Sequence, residues 1–517
     1  MTPQPQTAAY GEPASPVESD SDHASAELPE DRKIGVGGAM FLIFNKVIGT
    51  GIFSTPSAVF AATGSVGVSF ILWLVGAVVA FCGLSVFLEF GLAMPRSGGT
   101  KVYVERVYRR PRYLASCLVA AHVVLLGFSS ANALSFGRYV LRAADGLETD
   151  AWQARAVAVA VVAFAVALHA LVPKWGVRLF SVIGLFKVAV LVFIVLSGLA
   201  ALAGHRRVPD PHNFDRPFES VGAGGPYAYS RALLSVIYSY SGWESSTYVM
   251  GELRHPGKTL AAAAPLAIGS VAVLYLLANV AYFAAVPKAQ LARSEVLVAD
   301  VFFRNMYGDS AAARVLPMLV ALSNLGNILA SSFANSRMTQ ELAREGLLPF
   351  SRFWASNKPF NAPAASLLLH WIVTAMVLVG PPVGRAYTLL INVSSYANAW
   401  INAAVVAGLL WLQYNKAEKW SSPWHTCLPV SVVFLSANLV LIIAPFIPPQ
   451  GERAPGEYPY YVFPVVGVGT FCLAAVYWLL WRKVIPYCTG QRLASRRVFD
   501  ENGVEVARYR RLAATPH

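Results

Sequence analysis

Charged residues are scarce in this chain. They make up 13% of its 517 residues, against about 25% in typical soluble proteins. Hydrophobic residues reach 56% and form long runs such as Leu260 to Val286 and Val462 to Trp481. This balance excludes a soluble enzyme, because runs of this length are typical of membrane-spanning helices. The net charge of +13 therefore indicates basic loops beside a lipid bilayer and no nucleic-acid partner.

The chain also lacks the residue clusters that hold metals or cofactors. Its five cysteines form no Cys-x-x-Cys pair, which argues against a zinc site and a disulfide framework. No His-Glu-x-x-His, no complete Gly-x-x-x-x-Gly-Lys-Ser/Thr phosphate loop and no complete dinucleotide fingerprint occurs. We therefore predict no metal, no cofactor and no enzymatic activity.

The first residues have a different composition from the rest. Residues 1–31 are acidic, rich in Pro, Ser and Ala, and contain no long apolar run. This composition predicts a disordered cytoplasmic tail over residues 1–33 and no cleavable signal peptide. Insertion into the membrane is then directed by the first spanning helix.

Breakers in the apolar pattern divide the remaining chain into twelve predicted spans. With the N-terminus inside, the inner loops carry more Lys and Arg than the outer loops, which favours cytoplasmic termini. The basic C-terminal tail, residues 482–517, agrees with this orientation. The spans lie near residues 34–62, 67–94, 113–141, 152–173, 176–203, 227–250, 260–286, 313–336, 363–380, 386–413, 428–446 and 461–481.

The first predicted span carries helix breakers in its middle. Gly49, Gly51 and Pro56 lie in the segment from Ile48 to Pro56, and this combination favours local unwinding. Unwound backbone at membrane depth needs protein or a polar cavity around it, and the amides that begin the next half-helix form an anion site. Close helix packing through small residues is an equally good explanation of this motif alone.

The sixth predicted span has an interruption of its own. The segment Tyr238 to Ser245 places hydroxyl groups, Gly242 and the carboxylate of Glu244 inside an apolar helix. Each interrupted span opens a set of five spans, residues 34–203 and residues 227–414, and a final pair of spans follows over residues 428–481. Two interrupted helices in corresponding positions predict a transporter of inverted repeats with its site at the repeat interface.

Seven motifs are distributed along the predicted spans. They are Phe44-Asn45-Lys46, Val47-Ile48-Gly49-Thr50-Gly51-Ile52-Phe53, Glu89-Phe90-Gly91, Pro95-Arg96-Ser97-Gly98-Gly99, Ser241-Gly242-Trp243-Glu244, Ala343-Arg344-Glu345-Gly346, and Ile391-Asn392 through Trp411-Leu412. Together they resemble the amino acid-polyamine-organocation superfamily, within it the L-type amino acid transporters and especially the fungal high-affinity methionine permeases. The resemblance covers roughly residues 34–485. It implies an all-α polytopic membrane protein with twelve transmembrane helices, a LeuT-type fold of 5+5 inverted repeats and broken helices 1 and 6.

The resemblance also implies a role for each interrupted helix. The first break would bind the substrate carboxylate, and the sixth span would receive the substrate ammonium on main-chain carbonyls. Tyr238 stands where relatives place an aromatic gate, and Trp243 either lines the pocket or packs. Asn398 either enters the pocket or forms an interhelical hydrogen bond. The implied substrate-binding residues are Ile48, Gly49, Thr50, Gly51, Tyr238, Ser239, Ser241, Trp243 and Asn398.

Lys187 lies near the middle of the apolar fifth span. A central charge costs on the order of 3 kcal/mol on insertion scales, so it should face the protein interior and have a partner. In sodium-independent relatives a lysine here replaces a sodium ion between the first and fifth spans, and the resemblance implies the same role. A buried amine can also exchange a proton, which allows proton coupling.

Three further ionisable residues are candidates for gating or pairing. Lys46 precedes the first break, and it could pair with Glu244 or with Glu89. Glu89 lies near a span end, where pairing or contact with the membrane surface is the expected role. The sequence does not choose between these partners.

The sequence as a whole predicts a secondary active transporter of neutral L-amino acids such as methionine, sodium-independent and coupled to protons. An amino acid exchanger and a non-transporting amino acid sensor are the alternatives. The resemblance implies a plasma-membrane location and ubiquitin-ligase adaptors as partners. Animal L-type carriers are linked to a glycoprotein subunit through a cysteine in the loop after the third span. The corresponding loop here, residues 142–151, has no cysteine, so the resemblance does not extend to a disulfide-linked heavy chain.

Overall fold

The computed structural model describes the whole chain except residues 1–33, 96–97, 146–150, 220–224, 251–252, 295–297, 309–311, 359–360, 381–385, 449–458, 490, 500–504 and 514–517. The predicted N-terminal tail, residues 1–33, therefore lies outside the described residues. Twenty α-helices make up most of the remainder. They are α1 (Val36–Val47), α2 (Thr50–Thr63), α3 (Val66–Ala93), α4 (Gly99–Val107), α5 (Leu114–Ala121), α6 (Ser130–Asp145), α7 (Ala151–Leu171), α8 (Pro173–Leu202), α9 (Pro226–Tyr240), α10 (Ser245–Tyr248), α11 (Pro256–Ala285), α12 (Lys288–Arg293), α13 (Val298–Tyr307), α14 (Ala312–Arg344), α15 (Ser351–Trp354), α16 (Ala364–Val379), α17 (Ala386–Tyr414), α18 (Leu428–Ile443), α19 (Val462–Leu479) and α20 (Ile485–Thr489).

Ten helical segments of the described chain are long and apolar enough to cross a membrane. The protein is thus an integral multi-pass membrane protein. Two of the twelve predicted spans are not among the ten. One of them is α16, which is apolar but has only 16 residues. In the other, the chain is divided into α9 and the four-residue α10.

The first span is interrupted as the glycines predict. Helix α1 ends at Val47, Ile48 and Gly49 leave the helical conformation, and α2 begins at Thr50. Pro56 lies inside α2, beyond the break, so the two unwound residues coincide with the first glycine and not with the proline.

The interrupted helix lies at the centre of the bundle. Helix α1 packs against α8, α11 and α14, and α2 packs against α9. In the most apolar window of each span, 78% of the residues are buried in α14 but only 28% in the last span, Val462–Cys488. The polar and interrupted helices therefore form the interior, and the last spans form the periphery.

The third span has a distortion that the sequence analysis does not anticipate. Helix α5 continues into a π-helical turn, His122–Leu126, and residues 127–129 separate that turn from α6. A π-helical turn of this kind is frequent at functional sites. The site described below uses it.

The C-terminal tail is not a plain extension. Two strands, β1 (Gln491–Phe499) and β2 (Glu505–Ala513), form an antiparallel hairpin in which Arg496 pairs with Arg508. The all-α prediction is therefore wrong for this segment. The sequence predicts only a basic tail here, because its apolar and basic residues do not alternate in the way that indicates a strand with two unlike faces.

Candidate functional site

The first break, Ile48–Gly49, leaves four consecutive carbonyl groups without helical partners, and other helices bond all four. Lys187 Nζ donates to Asn45 O at 2.8 Å and to Ile48 O at 2.5 Å. Asn327 Nδ2 donates to Lys46 O at 2.5 Å, and the Tyr275 hydroxyl donates to Val47 O at 2.9 Å. The break is therefore stabilised by side chains of α8, α14 and α11.

Lys187 is completely buried. It lies in α8 and contacts the carbonyl side of the first break, as the resemblance implies. Its ammonium group satisfies the need for polar partners that a charge inside an apolar span creates. The structure thus places Lys187 between the first and fifth spans. Its role as a substitute for an ion stays a prediction.

The amide side of the first break is partly occupied by protein. Asn132 Oδ1 accepts the Thr50 N–H at 3.1 Å, and its Nδ2 lies 3.5 Å from the Tyr238 hydroxyl. A Cβ atom at Gly49 would lie 2.5 Å from Asn132 Oδ1. The amides that follow Thr50 begin a helix and have no partner four residues earlier, so they are the ones that suit a carboxylate.

The close contact between two helices explains why residue 51 is a glycine. It lies within α2, and a Cβ atom there would lie 2.7 Å from Cα of Ser239. Gly51 thus permits α2 and α9 to touch, which is the small-residue packing that the sequence leaves open. Of the two glycines, Gly49 is the one with a non-helical backbone, at φ −146° and ψ −144°.

The second break, residues 241–244, bonds mostly to itself. The Ser241 N–H and hydroxyl both donate to Tyr238 O, at 3.1 and 2.7 Å. Glu244 Oε2 accepts the Gly242 N–H at 2.8 Å. Gly242 has φ +121°, a conformation that side chains rarely adopt. The carbonyl oxygens of Ser239 and Ser241 receive no hydrogen bond from the described residues. Ser239 is buried, whereas Ser241 lines a cavity, so the Ser241 carbonyl is the one available to a cation.

The two breaks touch each other. A Cβ atom on Gly242 would lie 2.5 Å from Lys46 Cγ and 3.1 Å from the Lys46 carbonyl carbon. The available carbonyl of the second break and the amides of the first therefore lie in one region of the protein.

A central cavity of about 110 Å³ occupies this region. Of the candidates from the sequence, it is lined by Gly49, Thr50, Gly51, Tyr238, Ser241, Asn398, Lys46 and Glu244. Three other candidates are buried and do not line this cavity, namely Ile48, Ser239 and Lys187. Trp243 packs edge-to-face on Phe87, with ring centroids 5.0 Å apart, and it lines a second cavity beside the first.

The candidates for pairing separate into two groups. Lys46 Nζ donates to Ser331 Oγ at 2.8 Å, and Glu244 accepts the Gly242 N–H. Both line the central cavity, and no ion pair within 4.0 Å joins these two described residues. Lys46 and Glu244 therefore lie close enough to interact electrostatically without forming a direct ion pair in this conformation, and their pairing in gating stays a prediction.

Glu89 does not belong to the site. Its carboxylate accepts hydrogen bonds from Gln413 Nε2, Trp420 Nε1 and the Thr426 N–H, at 2.7–3.0 Å. Pairing of Glu89 with Lys46 is therefore wrong. Glu89 lies near the end of α3, where it holds the loop between α17 and α18.

Several cavity residues escaped the sequence analysis. Asn327, Ser331 and Asn335 recur every four residues along α14 and form one polar stripe on the cavity. That spacing within an apolar span is a signal that could have revealed them. Asn132 and the π-helical His122 also line the cavity. Tyr275 bonds the first break from outside the cavity, and no sequence pattern marks it as part of the site.

The chain is similar to known proteins over nearly its whole length. The family model for amino acid permeases matches residues 34–471. The high-affinity methionine permease of Saccharomyces cerevisiae is 38% identical over 495 residues, which cover 95% of this chain and 86% of that protein. The low-affinity methionine permease of the same yeast is 30% identical over 489 residues, 93% of this chain and 88% of that protein. The b(0,+)-type amino acid transporter 1 of Mus musculus is 28% identical over 451 residues, 86% of this chain and 88% of that protein.

Proposed function

The chain belongs to the amino acid permease family, and from this premise we propose that it carries neutral L-amino acids, methionine among them, through the central cavity by alternating access. The similarity to two methionine permeases supports methionine as a substrate. The contact between the two breaks is the observation that supports the cavity as the transport site. Carriers of this kind bind substrate near the bilayer midplane, between discontinuous helices.

The backbone chemistry of the cavity suits a zwitterion. The substrate carboxylate takes the amides at the start of α2, after Thr50, where the helix dipole also attracts an anion. The substrate ammonium takes the carbonyl of Ser241, which lines the cavity and which the described residues leave unbonded. The Ser239 carbonyl, predicted for the same role, does not line the cavity in this conformation. Tyr238 lines the cavity beside both breaks and closes over the bound substrate as a gate.

We further propose twelve spans in a 5+5 inverted repeat, with the repeats over residues 34–203 and 227–414 and both termini cytoplasmic. In that arrangement α9, α10 and α16 supply the two spans beyond the ten long helices. The cavity runs along α14 from Asn327 to Asn335, about 12 Å toward the side of the N-terminus. The basic C-terminal tail supports a cytoplasmic end and the plasma membrane as location.

Coupling is proposed to be independent of sodium. The Lys187 ammonium fills the carbonyl cage of Asn45 and Ile48, which is the kind of site that a sodium ion would otherwise occupy. A proton gradient is then the driving force. An exchanger that needs internal amino acid is the second candidate, and a sensor that binds without transport is the third.

Uptake into proteoliposomes distinguishes these functions. The purified protein should accumulate labelled L-methionine, faster with an inward proton gradient and equally fast in sodium and in potassium. A protonophore should abolish accumulation. Uptake that requires preloaded amino acid would establish the exchanger, and saturable binding without accumulation would establish the sensor. Stimulation by sodium would overturn the role of Lys187 as the ion substitute.

The proposed gate has its own test. Tyr238→Ala should raise the apparent KM for methionine because the substrate loses its cover, whereas the quantity of protein at the membrane should not change. An unchanged KM would show that Tyr238 only packs.

The tail over residues 1–33 is proposed to be regulatory, with ubiquitin-ligase adaptors as partners. Deletion of residues 1–30 should leave the uptake kinetics per molecule unchanged and slow the removal of the protein from the cell surface. A large loss of activity per molecule would contradict the regulatory role.

A further inference from the structure

Basic residues from two neighbouring spans meet at one end of the bundle. The loop before α5 carries Arg110 and Arg112, and the last span carries Arg482 and Lys483 near its end. Trp478 Nε1 donates to Arg112 O at 2.9 Å, so the end of the last span is held against this loop. We call the surface formed by the four basic side chains the basic rim.

Aromatic rings hold two of the four cations in place. The guanidinium carbon of Arg482 lies 4.9 Å from the ring centre of Tyr113, which directly follows Arg112 in the chain. Lys483 Nζ lies 5.8 Å from the ring centre of Trp478. Trp and Tyr are common at membrane–water interfaces, where one part of the ring system is in an apolar environment and another part is hydrated. The basic rim therefore lies at the level of lipid headgroups.

The positive charge of the basic rim is not neutralised within the part of the chain that the structure describes. None of its four side chains forms an ion pair with a described carboxylate. The carboxylate of Glu418 bonds Arg106 and Arg109 instead, at 2.7 and 2.6 Å. Three of the four rim side chains are exposed. An exposed concentration of unpaired positive charge attracts an anion.

The surface next to the basic rim is apolar. Leu473, Val476 and Leu480 recur at helical spacing along the last span and are 65%, 51% and 45% exposed. In a membrane such a face is covered by lipid acyl chains. A soluble anion would contact only the basic rim, whereas a phospholipid contacts both surfaces. The combination therefore favours a lipid over a free phosphate.

We propose that the basic rim binds the headgroup of an anionic phospholipid whose acyl chains lie along the last span. Basic clusters beside spans attract anionic lipids of the cytoplasmic leaflet, and the proposed orientation places this loop on the cytoplasmic side. Helix α5 leads into the π-helical turn, which lines the central cavity. The bound lipid thus holds the surface end of a span that forms the cavity.

The test is a lipid titration of the detergent-purified full chain, followed by native mass spectrometry. Phosphatidylserine should bind more tightly than phosphatidylcholine. The triple variant Arg112→Gln, Arg482→Gln and Lys483→Gln should weaken phosphatidylserine binding at least about tenfold, because each lost charge accounts for roughly a fivefold change. The control variant Arg352→Gln, Lys358→Gln and Lys416→Gln removes the same charge from exposed residues of other loops. It should bind phosphatidylserine within about twofold of the unaltered protein.

Three outcomes would overturn the inference. They are equal binding of phosphatidylserine and phosphatidylcholine, an equal loss in the two triple variants, and displacement of phosphatidylserine by an equal concentration of glycerophosphoserine. Glycerophosphoserine is the headgroup without acyl chains, so its success would reveal a site for soluble anions.

A single position decides if the triple variant does not fold. Lys483 is exposed, so its replacement should leave the fold intact. Lys483→Gln should weaken phosphatidylserine binding roughly fivefold and Lys483→Arg should retain it. Equal binding by these two variants would also overturn the inference. The titration involves no transport, so a failure of the proposed function would leave its result unaffected.

Discussion

At the first break, side chains from three other helices bond the four freed carbonyls, whereas at the second break the chain mostly bonds itself. Lys187, Asn327 and Tyr275 lie between 139 and 281 residues away along the sequence from the carbonyls they bond. At the second break, the partners of Ser241 and Gly242 are two or three residues away. The first break therefore depends on the packed bundle, and the second is a local turn.

This difference indicates which break can respond to a substrate. The carbonyls freed at the first break already accept hydrogen bonds from protein side chains. A substrate can therefore bind only to the amide groups of the first break. The second break retains unbonded carbonyls at Ser239 and Ser241. Its turn can also change without breaking long-range contacts, which suits a helix that must move in alternating access.

The largest effect is expected where the two interrupted helices touch. Gly51→Val places a branched side chain against the backbone of Ser239, which is 2.7 Å from the Cβ position. Overpacking against backbone costs about 1–3 kcal/mol or more, so methionine uptake should fall below about a tenth of the unaltered rate. Gly469→Val is the control, because nothing lies within 4 Å of its Cβ position. Near-normal uptake by Gly51→Val would contradict the close contact of α2 and α9.

Removal of the Lys187 ammonium comes next. Lys187→Ala leaves two buried carbonyls unbonded, at about 1–3 kcal/mol each. We expect a lower melting temperature in detergent and a large loss of uptake. The control is Lys174→Ala, near the start of the same helix, where the side chain is exposed. Equal melting temperatures for the two variants would show that the first break does not need its distant donor.

A smaller effect is expected from a single hydroxyl. Tyr275→Phe removes only the donor to Val47 O and should lower the free energy of unfolding by about 1–3 kcal/mol. Tyr282→Phe, in the same helix, removes a buried hydroxyl that has no hydrogen-bond partner among the described residues. It should therefore leave the melting temperature unchanged. If both variants behave alike, the bond to Val47 O contributes nothing to the first break.

The smallest effect is expected at the second break. Ser241→Ala removes one hydrogen bond to Tyr238 O, but that carbonyl keeps the Ser241 N–H as a donor. Stability should change by less than about 1 kcal/mol, because no buried group is left unpaired. Thermal unfolding measures the change. A loss as large as that of Tyr275→Phe would remove the distinction between the two breaks.

The sequence was informative wherever a property depends on neighbouring residues. Scarce charge and long apolar runs predicted a membrane protein, and Gly49 predicted the first break. Ser241, Gly242 and Glu244 predicted the second break because its turn is built from those same residues. Lys187 could be singled out because a lone charge in an apolar span requires a partner.

The tertiary structure decided which groups meet. Asn132, Asn327 and Tyr275 bond the first break only because α6, α14 and α11 are packed around it. Glu89 bonds the loop after α17, although its charge made it an equal candidate for Lys46. Backbone conformation depends on local steric clashes, which are determined by the residue types along the sequence. The choice of a polar partner depends on which helices are adjacent, and that is determined by the packing of the whole bundle.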